Sequence, residues 1–330
     1  MILNTGSRTD IPAYYSDWFY HRIKAGYVLT RNPYNPTAVS RYLLHPDVVD
    51  AIVFCSKNPA PMLDRLSMLN AFEMFWFVTI TPYGKDIEPF VPPKEEVMET
   101  FIRLSEIAGK DRMSWRYDPV FISDTYPVDF HIRAFEEMAA KLAGHTRQVV
   151  VSFIDLYEKT KRNFPGVHAV SPLDQEHLTA AFAGTAARYD LQIHLCCENS
   201  FLARPHVDAQ GCLSRQVLED ALGTHLDIPK KKAPRATCSC LLGADIGAYN
   251  TCGHGCRYCY ANYDEQTVRA NMAAHDPASP LLIGHLTPED VVKLKEDYNI
   301  NKIVSLDAVV GKRIDRTTKM LGIKHIIIPI

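Results

Sequence analysis

Short, continuously apolar or β-rich segments recur along the chain, and each one ends in polar residues and a turn. A strand that is buried on both faces has this composition, because neither of its faces meets water. The segments therefore predict a parallel β-sheet that is covered on both sides. They comprise residues 2–4, 27–30, 51–55, 75–80, 113–116, 149–153 and 191–195.

Helical patterns lie between these strands. Residues 94–108 carry an apolar stripe at helical spacing and end before Gly109, a common helix stop. Residues 172–188 follow Ser171 as N-cap and place Pro172 at the first helical position. Repeated alternation of strand and helix predicts an α/β fold in the form of a (β/α) TIM-like barrel. An open doubly wound sheet is the alternative, although no G-x-G-x-x-G follows the first strand.

Composition limits the classes of protein to which the chain can belong. Of its 330 residues, 47% are hydrophobic and 22% are charged, which supplies a core and excludes a disordered chain. The net charge of −2 argues against a nucleic-acid partner. The chain has no apolar run of about 20 residues and no signal peptide, so we expect a cytoplasmic protein without a membrane partner.

Polar residues cluster directly after the predicted strands. In a barrel, the carboxyl ends of all strands meet at one mouth, where active sites lie. The alternative is that these residues only form turns and contact water. We predict catalytic roles for Arg8, Asp10, Lys57, Arg116, Asp118 and Glu198. Further polar residues at strand ends are Asn32, Asn58 and Asp155.

The chain has nine cysteines, which in a reducing cytosol indicate metal ligands rather than disulfides. The strongest pattern is C-x3-C-x2-C at Cys252, Cys256 and Cys259. This spacing lets one loop place three thiolates on one face of a cuboidal iron–sulfur cluster and leaves the fourth iron open. The alternative is a zinc knuckle with His254 as an additional ligand.

A second set of cysteines lies upstream of this motif and consists of Cys196, Cys212, Cys238 and Cys240. Four thiolates suit a second [4Fe–4S] cluster, and two thiols at C-x-C spacing suit two irons of one cluster. A structural zinc site and unligated buried thiols are the alternatives. Cys197 can substitute for Cys196 in any of these arrangements.

The motif with Tyr258 directly before its last cysteine resembles the signature of radical S-adenosylmethionine enzymes. The surrounding YNTCGHGCRYCYAN resembles the spore photoproduct lyase branch in particular. Together with the segments SRTDIP, SKNP, WRYDP and DIG, the chain is similar to the bacterial family of domains of unknown function numbered 1848. This resemblance covers about residues 1–285.

The resemblance implies a cofactor and a type of chemistry. Cys252, Cys256 and Cys259 would hold a [4Fe–4S] cluster whose fourth iron binds S-adenosylmethionine. One electron, supplied by a donor such as flavodoxin or ferredoxin, would cleave the sulfonium and release a 5′-deoxyadenosyl radical. The radical would then abstract hydrogen from a substrate, either a small molecule or a macromolecule, inside a barrel that excludes water.

The order of the segments differs from that of most such enzymes, whose cysteine loop follows the first strand. A circular permutation would explain the difference, with residues 240–249 supplying the strand before the loop. The glycine-glycine-glutamate element that usually binds the methionine amine has no clear match, and the loop from Gly6 and Ser7 to Asp10 is expected to take its role, with Tyr258 and Tyr260 beside the adenine or the cluster. The candidate partner of the methionine amine is Asp10 or Glu198. The candidate partner of the methionine carboxylate is Arg8 or Arg116.

We predict three regions. Residues 1–229 form the barrel body, residues 230–265 form a linker and the cysteine-rich segment that completes the barrel, and residues 266–330 form an extension of uncertain role. Within the extension, Thr287-Pro-Glu-Asp290 is a capping box that predicts a helix over 288–297. A strand over 302–305 and a helix over about 312–320 are predicted to follow.

Two other functions fit the same sequence. One is an iron–sulfur or zinc protein that senses redox state or binds a partner without radical chemistry. The other is a nucleic-acid repair lyase that uses the basic residues 230–232 and Arg235, although the overall charge argues against it.

Overall fold

The computed structural model describes residues 1–228, 238–241, 243–295 and 326–327. Its strands are β1 (Ile2–Asn4), β2 (Tyr27–Asn32), β3 (Asn35–Leu43), β4 (Ala51–Ser56), β5 (Met74–Thr79), β6 (Met113–Val120), β7 (Gln148–Phe153), β8 (Gln192–Leu195), β9 (Val207–Asp208), β10 (Ala244–Asp245), β11 (Val291–Leu294) and β12 (Ile326–Ile327). Its α-helices are α1 (Ile11–Tyr14), α2 (Ser16–Ala25), α3 (Lys94–Ala108), α4 (Val128–Leu142), α5 (Glu158–Asn163), α6 (Pro172–Arg188), α7 (Arg215–Leu222) and α8 (Glu265–Ala273).

Eight strands form one parallel sheet in the order β10-β1-β4-β5-β6-β7-β8-β9. The predicted α/β fold with a parallel sheet is therefore confirmed. The sheet is not closed, because no strand pairing joins β9 to β10 among the described residues. Each of these edge strands has only two residues. The two edges are joined instead by one hydrogen bond of 2.8 Å, which Leu241 N, before β10, donates to Leu213 O, after β9.

The prediction that residues 27–30 belong to the main sheet is wrong. They lie in β2, which pairs antiparallel with β3 in a second sheet of order β12-β11-β3-β2. The chain reverses between Asn32 and Asn35, and a reversal this short yields a hairpin rather than a parallel crossover. Asn32 accepts from Tyr34 N at 2.9 Å in this turn, so it does not lie with the other polar strand ends.

The prediction of a helix over 288–297 is also wrong, although one of the two hydrogen bonds of the capping box at Thr287 and Asp290 forms. Asp290 Oδ2 accepts from Thr287 N at 2.8 Å, as a capping carboxylate would. Arg31 of β2 pairs with the same carboxylate. The chain then extends as β11 beside β3, whose backbone replaces the hydrogen bonds that a helix would supply.

Two predicted helices are confirmed, with their ends. Helix α3 ends at Gly109, whose φ of 90° lies in the region that favours glycine. Helix α6 begins after Ser171, whose side chain accepts from Asp174 N at 3.1 Å.

Three predicted features lie outside the described residues: the basic segment at 230–235, the strand over 302–305 and the helix over about 312–320. In the part of the chain that the structure describes, no helix is long and apolar enough to cross a membrane.

The two faces of the main sheet have different coverings. Along β4, Ile52 and Phe54 belong to the large apolar cluster that includes the flanking helices α3, α4 and α6. Ala51 and Val53 of the same strand belong to a second cluster with α7. The apolar residues of α7 recur on one stripe, so this single helix covers the second face. Four thiols pack against this second cluster: Cys55, Cys196, Cys212 and Cys240.

Candidate metal centre

The loop that carries Cys252, Cys256 and Cys259 contacts the segments that follow β1, β4, β5 and β7, at the carboxyl edge of the main sheet. Four hydrogen bonds fix its backbone to three of these segments. These are Arg257 N to Ile87 O at 3.0 Å, Phe90 N to His254 O at 3.2 Å, Tyr15 Oη to Thr251 O at 2.6 Å and Asn163 Nδ2 to Asn262 O at 3.3 Å.

The three thiols of this loop lie close enough to influence one another. Cys259 N donates to Cys256 O at 3.1 Å, and Cys259 Sγ accepts from Ala261 N at 3.3 Å. Burial raises the pKa of Cys252, and negative charge on Cys259 and Cys256 raises it further. Burial likewise raises the pKa of Cys256 to about 12, which the ammonium of Lys57 partly offsets. A cation held among the thiols would reverse this penalty on the thiolates.

Asp10 joins the loop after β1 to the cysteine loop. Its Oδ2 accepts from His254 Nε2 and from Lys57 N, each at 2.8 Å, and its Oδ1 caps α1 by accepting from Ala13 N at 3.1 Å. Tyr14 Oη lies 3.0 Å from the other ring nitrogen, His254 Nδ1. The predicted residue Asp10 is thus at the site, and its carboxylate binds donors of the chain itself.

Glu88 is a site residue that the sequence analysis missed. Its carboxylate is fully buried and accepts from Lys57 Nζ and Thr81 Oγ1, each at 2.7 Å, and also from Lys94 and Tyr258. Burial alone would raise the pKa of Glu88, but Lys57 and Lys94 outweigh burial and hold it at about 2. The only available signal was its position in the loop after β5, where the neighbouring strands are also followed by polar residues.

Arg8 and Glu198 reach the same edge of the sheet and are held by the chain itself. Arg8 Nε lies 2.6 Å from Asp245 Oδ2, so Arg8 ties the segment after β1 to the end of β10. Glu198 Oε1 accepts from Phe153 N at 2.8 Å and so ties the segment after β8 to the end of β7. Both residues therefore tie the ends of neighbouring strands to each other.

Ser7 contacts the segment of the cysteine loop through Tyr260, whereas Gly6 contacts β4. Tyr260 is partly exposed and donates to Ser7 O at 2.5 Å. Gly6 packs directly on β4, since a Cβ at this position would lie 2.4 Å from both the Cβ and the carbonyl oxygen of Cys55. The glycine at position 6 is therefore explained by packing alone.

Arg116 and Asp118 lie beside the second set of cysteines. Arg116 Nε donates to Asp118 Oδ1 at 3.0 Å, and Nη2 pairs with the second carboxylate oxygen. Arg116 Nη1 points to Cys212 Sγ at 3.7 Å. Burial alone would lower the pKa of Arg116, but the negative charges of Asp118 and Cys212 outweigh burial and raise this pKa. The guanidinium therefore keeps its charge.

Five cysteines lie together in a group that we call the thiol ring. Cys212 Sγ lies 3.5 Å from the sulfurs of both Cys196 and Cys240. Cys238 and Cys197 are close enough to the other thiols of the group to influence their pKa values. The hydrogen bond from Cys212 lowers the pKa of Cys240 to about 6, and hydrogen bonds with Cys196 and Cys240 raise that of Cys212.

Among residues 1–228, 238–241 and 243–295, no three His, Cys, Asp or Glu side chains are arranged to hold a single metal ion. Both ring nitrogens of His254 are hydrogen-bonded, to Asp10 and to Tyr14. A zinc knuckle that uses His254 would have to break one of these contacts.

Comparisons with known proteins give a family. No curated protein and no solved structure matches the chain. The family model described as Domain of unknown function (DUF1848) matches residues 2–261, which is well over half of the chain and includes the whole cysteine loop. The chain therefore belongs to the DUF1848 family of domains of unknown function.

Proposed function

We propose that the chain is an iron–sulfur enzyme of the radical S-adenosylmethionine type. The observation that carries this proposal is the arrangement of Cys252, Cys256 and Cys259. The three thiols lie half-buried at the carboxyl edge of a parallel sheet, where negative charge on Cys259 penalises ionisation of both Cys252 and Cys256. Such a set of thiols is suited to a cationic metal cluster, which removes that penalty.

The donor set fits the cofactor that the sequence pattern implies. Cys252, Cys256 and Cys259 would hold a [4Fe–4S] cluster, and the iron that they leave open would take the amino and carboxylate groups of S-adenosylmethionine. When bound, the cluster and S-adenosylmethionine together supply one-electron cleavage of the sulfonium and hydrogen-atom abstraction from a substrate.

The residues around the loop hold it and set its charge. Asp10 fixes His254 between Cys252 and Cys256, because the imidazole lies between the carboxylate and Tyr14. The ammonium of Lys57 favours the thiolate of Cys256. Glu88 in turn holds that ammonium at 2.7 Å. Asp10, Lys57 and Glu88 therefore act as positioning residues.

Tyr258 closes one side of the loop to water. Its ring packs against an apolar cluster that includes the buried residues Tyr83, Ile87 and Phe121. A dry environment on this side protects reactive species from water. Tyr260 is exposed, so we expect cofactor and substrate to enter at the part of the loop around this residue.

We infer that the open sheet is a circularly permuted relative of the (β/α) barrel. Six strands after β1 follow in sequence order across the sheet, and β10 joins the free edge of β1. The segment just before the cysteine loop thus pairs with the first strand. This order supports the expectation that residues 240–249 supply the strand that normally precedes such a loop.

The test compares Cys256→Ala with Cys55→Ala after purification without oxygen. Cys55 is the matched control, because it is the one cysteine outside both the loop and the thiol ring. We expect Cys256→Ala to lose the S-adenosylmethionine-dependent EPR signal and the formation of 5′-deoxyadenosine with a chemical reductant. Cys55→Ala should retain both.

Retention of 5′-deoxyadenosine formation by Cys256→Ala would overturn the proposal. An intact cluster whose EPR spectrum ignores the cofactor would instead indicate a redox sensor or binding protein. Because cleavage consumes one electron, an electron donor such as flavodoxin or ferredoxin belongs to the proposal. The proposed substrate is a small molecule or a macromolecule other than nucleic acid, against which the net charge of −2 argues.

A further inference from the structure

We propose that Cys212 and Cys240, two members of the thiol ring, form a site of reversible thiol oxidation. A hydroperoxide would convert these two thiols into a disulfide that joins the two edges of the open sheet. This inference does not depend on the proposed function, because the pair shares no residue with the cysteine loop.

The second [4Fe–4S] cluster that the sequence suggested does not fit the thiol ring. Cys212 Sγ lies 3.5 Å from the sulfurs of both Cys196 and Cys240, so these thiols contact one another directly. A cubane keeps the sulfurs of its ligands apart, because each ligand binds a different iron. No arrangement of three side chains suited to a single ion occurs in the part of the chain that the structure describes. Thiols in direct contact are instead suited to a disulfide.

The approach of the two sheet edges brings the pair together. Cys212 follows β9, and Cys240 precedes β10. The residues that follow them are hydrogen-bonded, since Leu241 N donates to Leu213 O at 2.8 Å. Gly211 lies directly against the other segment, because a Cβ at this position would lie 3.7 Å from Cys240 Sγ. The two backbones therefore lie side by side, and the sulfurs need to approach by only about 1.5 Å to bond.

The two thiols differ in a way that divides the chemistry between them. Cys240 is half-buried and is therefore reachable by a small hydroperoxide, whereas Cys212 is buried. The hydrogen bond from Cys212 lowers the pKa of Cys240 to about 6, so Cys240 is a thiolate at neutral pH. The thiolate is the form of cysteine that peroxides oxidise. Cys240 is thus the attacking thiol, and Cys212 is the resolving thiol.

The reaction consumes one molecule of hydrogen peroxide. The thiolate of Cys240 attacks one peroxide oxygen, the O–O bond breaks, and the hydroxide that leaves takes up a proton to become water. Cys240 is then a sulfenic acid. The sulfur of Cys212 displaces the hydroxyl group from the sulfenic sulfur and forms the S–S bond, while its proton leaves with that hydroxyl as a second water. The two thiols lose two electrons in total, and hydrogen peroxide gains them.

The guanidinium of Arg116 assists the second step. Its Nη1 lies 3.7 Å from Cys212 Sγ, and Asp118 binds other nitrogens of the same guanidinium. The positive charge of Arg116 favours the thiolate of Cys212 and so offsets part of the cost of burial. A sulfur that is losing its proton in the resolving step is therefore stabilised where it lies.

Cys196 is the competing partner, because its sulfur lies at the same distance from Cys212. The backbone of Cys196 is held by β7, since Cys196 N donates to Val151 O at 2.9 Å. The segment of Cys240, by contrast, is fixed directly against that of Cys212 by the hydrogen bond between the following residues. We therefore assign the disulfide to Cys212 and Cys240.

The experiment maps the disulfide in the full chain, which is purified without oxygen and then treated with hydrogen peroxide. Free thiols are alkylated, and the chain is cleaved before each aspartate. The cysteines of interest then fall into separate peptides, which are 190–207 with Cys196 and Cys197, 208–219 with Cys212, 227–244 with Cys238 and Cys240, and 245–263 with the cysteine loop. We expect peptide 208–219 to be linked to peptide 227–244, and dithiothreitol to release both.

Substitutions identify the sulfurs of the link. Cys240→Ser and Cys212→Ser should each lose the linked peptides. Cys238→Ser is the matched control, because it removes the other thiol of the same peptide, and it should retain the link. Cys55→Ser, outside the thiol ring, should also retain it.

Three outcomes would overturn the proposal. The first is a peptide 208–219 that remains fully alkylated after treatment with peroxide. The second is a link from this peptide to 190–207 in place of 227–244, and the third is a link that persists in Cys240→Ser. The map of the unmodified chain does not require any variant to fold. Oxidation within peptide 245–263 is detected separately, so damage to the cysteine loop does not mimic the expected result.

Discussion

Asp10 Oδ2 and His254 Nε2 lie 2.8 Å apart and join two loops that are separated by 244 residues in the sequence. Both side chains are almost fully buried. A carboxylate in this position sets the orientation of the imidazole, and His254 lies between Cys252 and Cys256 in the sequence of the cysteine loop. The geometry of the predicted metal site therefore depends on a residue near the start of the chain.

Removal of the Asp10 carboxylate should destabilise the fold. Asp10→Ala leaves Lys57 N, Ala13 N and His254 without their acceptor, and an unsatisfied buried donor costs about 1–3 kcal/mol. We expect the free energy of unfolding to fall by at least about 2 kcal/mol in urea titrations. The control is Asp17→Ala, which breaks an exposed pair with Arg65 and should cost less than about 1 kcal/mol. Equal losses would refute a special role for Asp10.

Neutralisation of Glu88 should be costly because two ammonium groups face it. Glu88→Gln leaves Lys57 and Lys94 without a counter-charge in a largely buried site. Loss of one partner from a buried ion pair costs about 3–5 kcal/mol, and we expect the lower end because both lysines retain some contact with water. Glu73→Gln, which breaks the exposed pair with Arg112, should cost under about 1 kcal/mol. Urea unfolding at neutral pH distinguishes the two, and a loss below 1 kcal/mol for Glu88→Gln would contradict the prediction.

A methyl group at position 6 should not fit. Gly6→Ala would place a Cβ 2.4 Å from the carbonyl oxygen of Cys55, a backbone atom that cannot rotate away. We expect a loss of about 1–3 kcal/mol, as for other overpacked sites. Gly184→Ala is the control, because this glycine lies within α6 with open space around its Cα and alanine there should stabilise by up to about 1 kcal/mol. The thermal midpoints of the two variants should therefore move in opposite directions.

His131 should make the fold sensitive to mild acid. Burial lowers the pKa of His131 to about 4, although Phe121 O accepts from the ring. In the unfolded chain the pKa is about 6.5, so protons bind the unfolded chain more tightly. Stability should fall as the pH drops from about 6.5 to about 4, with about 2 kcal/mol lost between pH 7.5 and pH 5.

The variants His131→Gln and Tyr117→Phe test this origin. Urea unfolding of His131→Gln should show a pH dependence that is smaller by about 2 kcal/mol. Tyr117→Phe removes the hydroxyl that lies 2.9 Å from His131 Nδ1 but keeps the imidazole, so it should retain the full pH dependence. An unchanged slope in His131→Gln would assign the acid sensitivity to other groups.

The sequence by itself determined the local elements and the residue types of the candidate site. Six of the seven predicted strands lie in the main sheet, because a strand that is buried on both faces must be apolar throughout. The ends of α3 and α6 followed from Gly109 and Ser171, since capping acts between neighbouring residues. The cysteine motif also identified its loop, which spans only eight residues.

Tertiary structure alone decided which strands pair and which charges meet. Residues 27–30 and 291–294 have the patterns of a barrel strand and a capped helix, yet both join a second sheet whose backbone supplies their hydrogen bonds. Glu88 entered the site because its loop folds against Lys57 and Tyr258, which no local pattern records. The thiol ring likewise depends on the approach of the two sheet edges, a long-range contact that residue spacing does not encode.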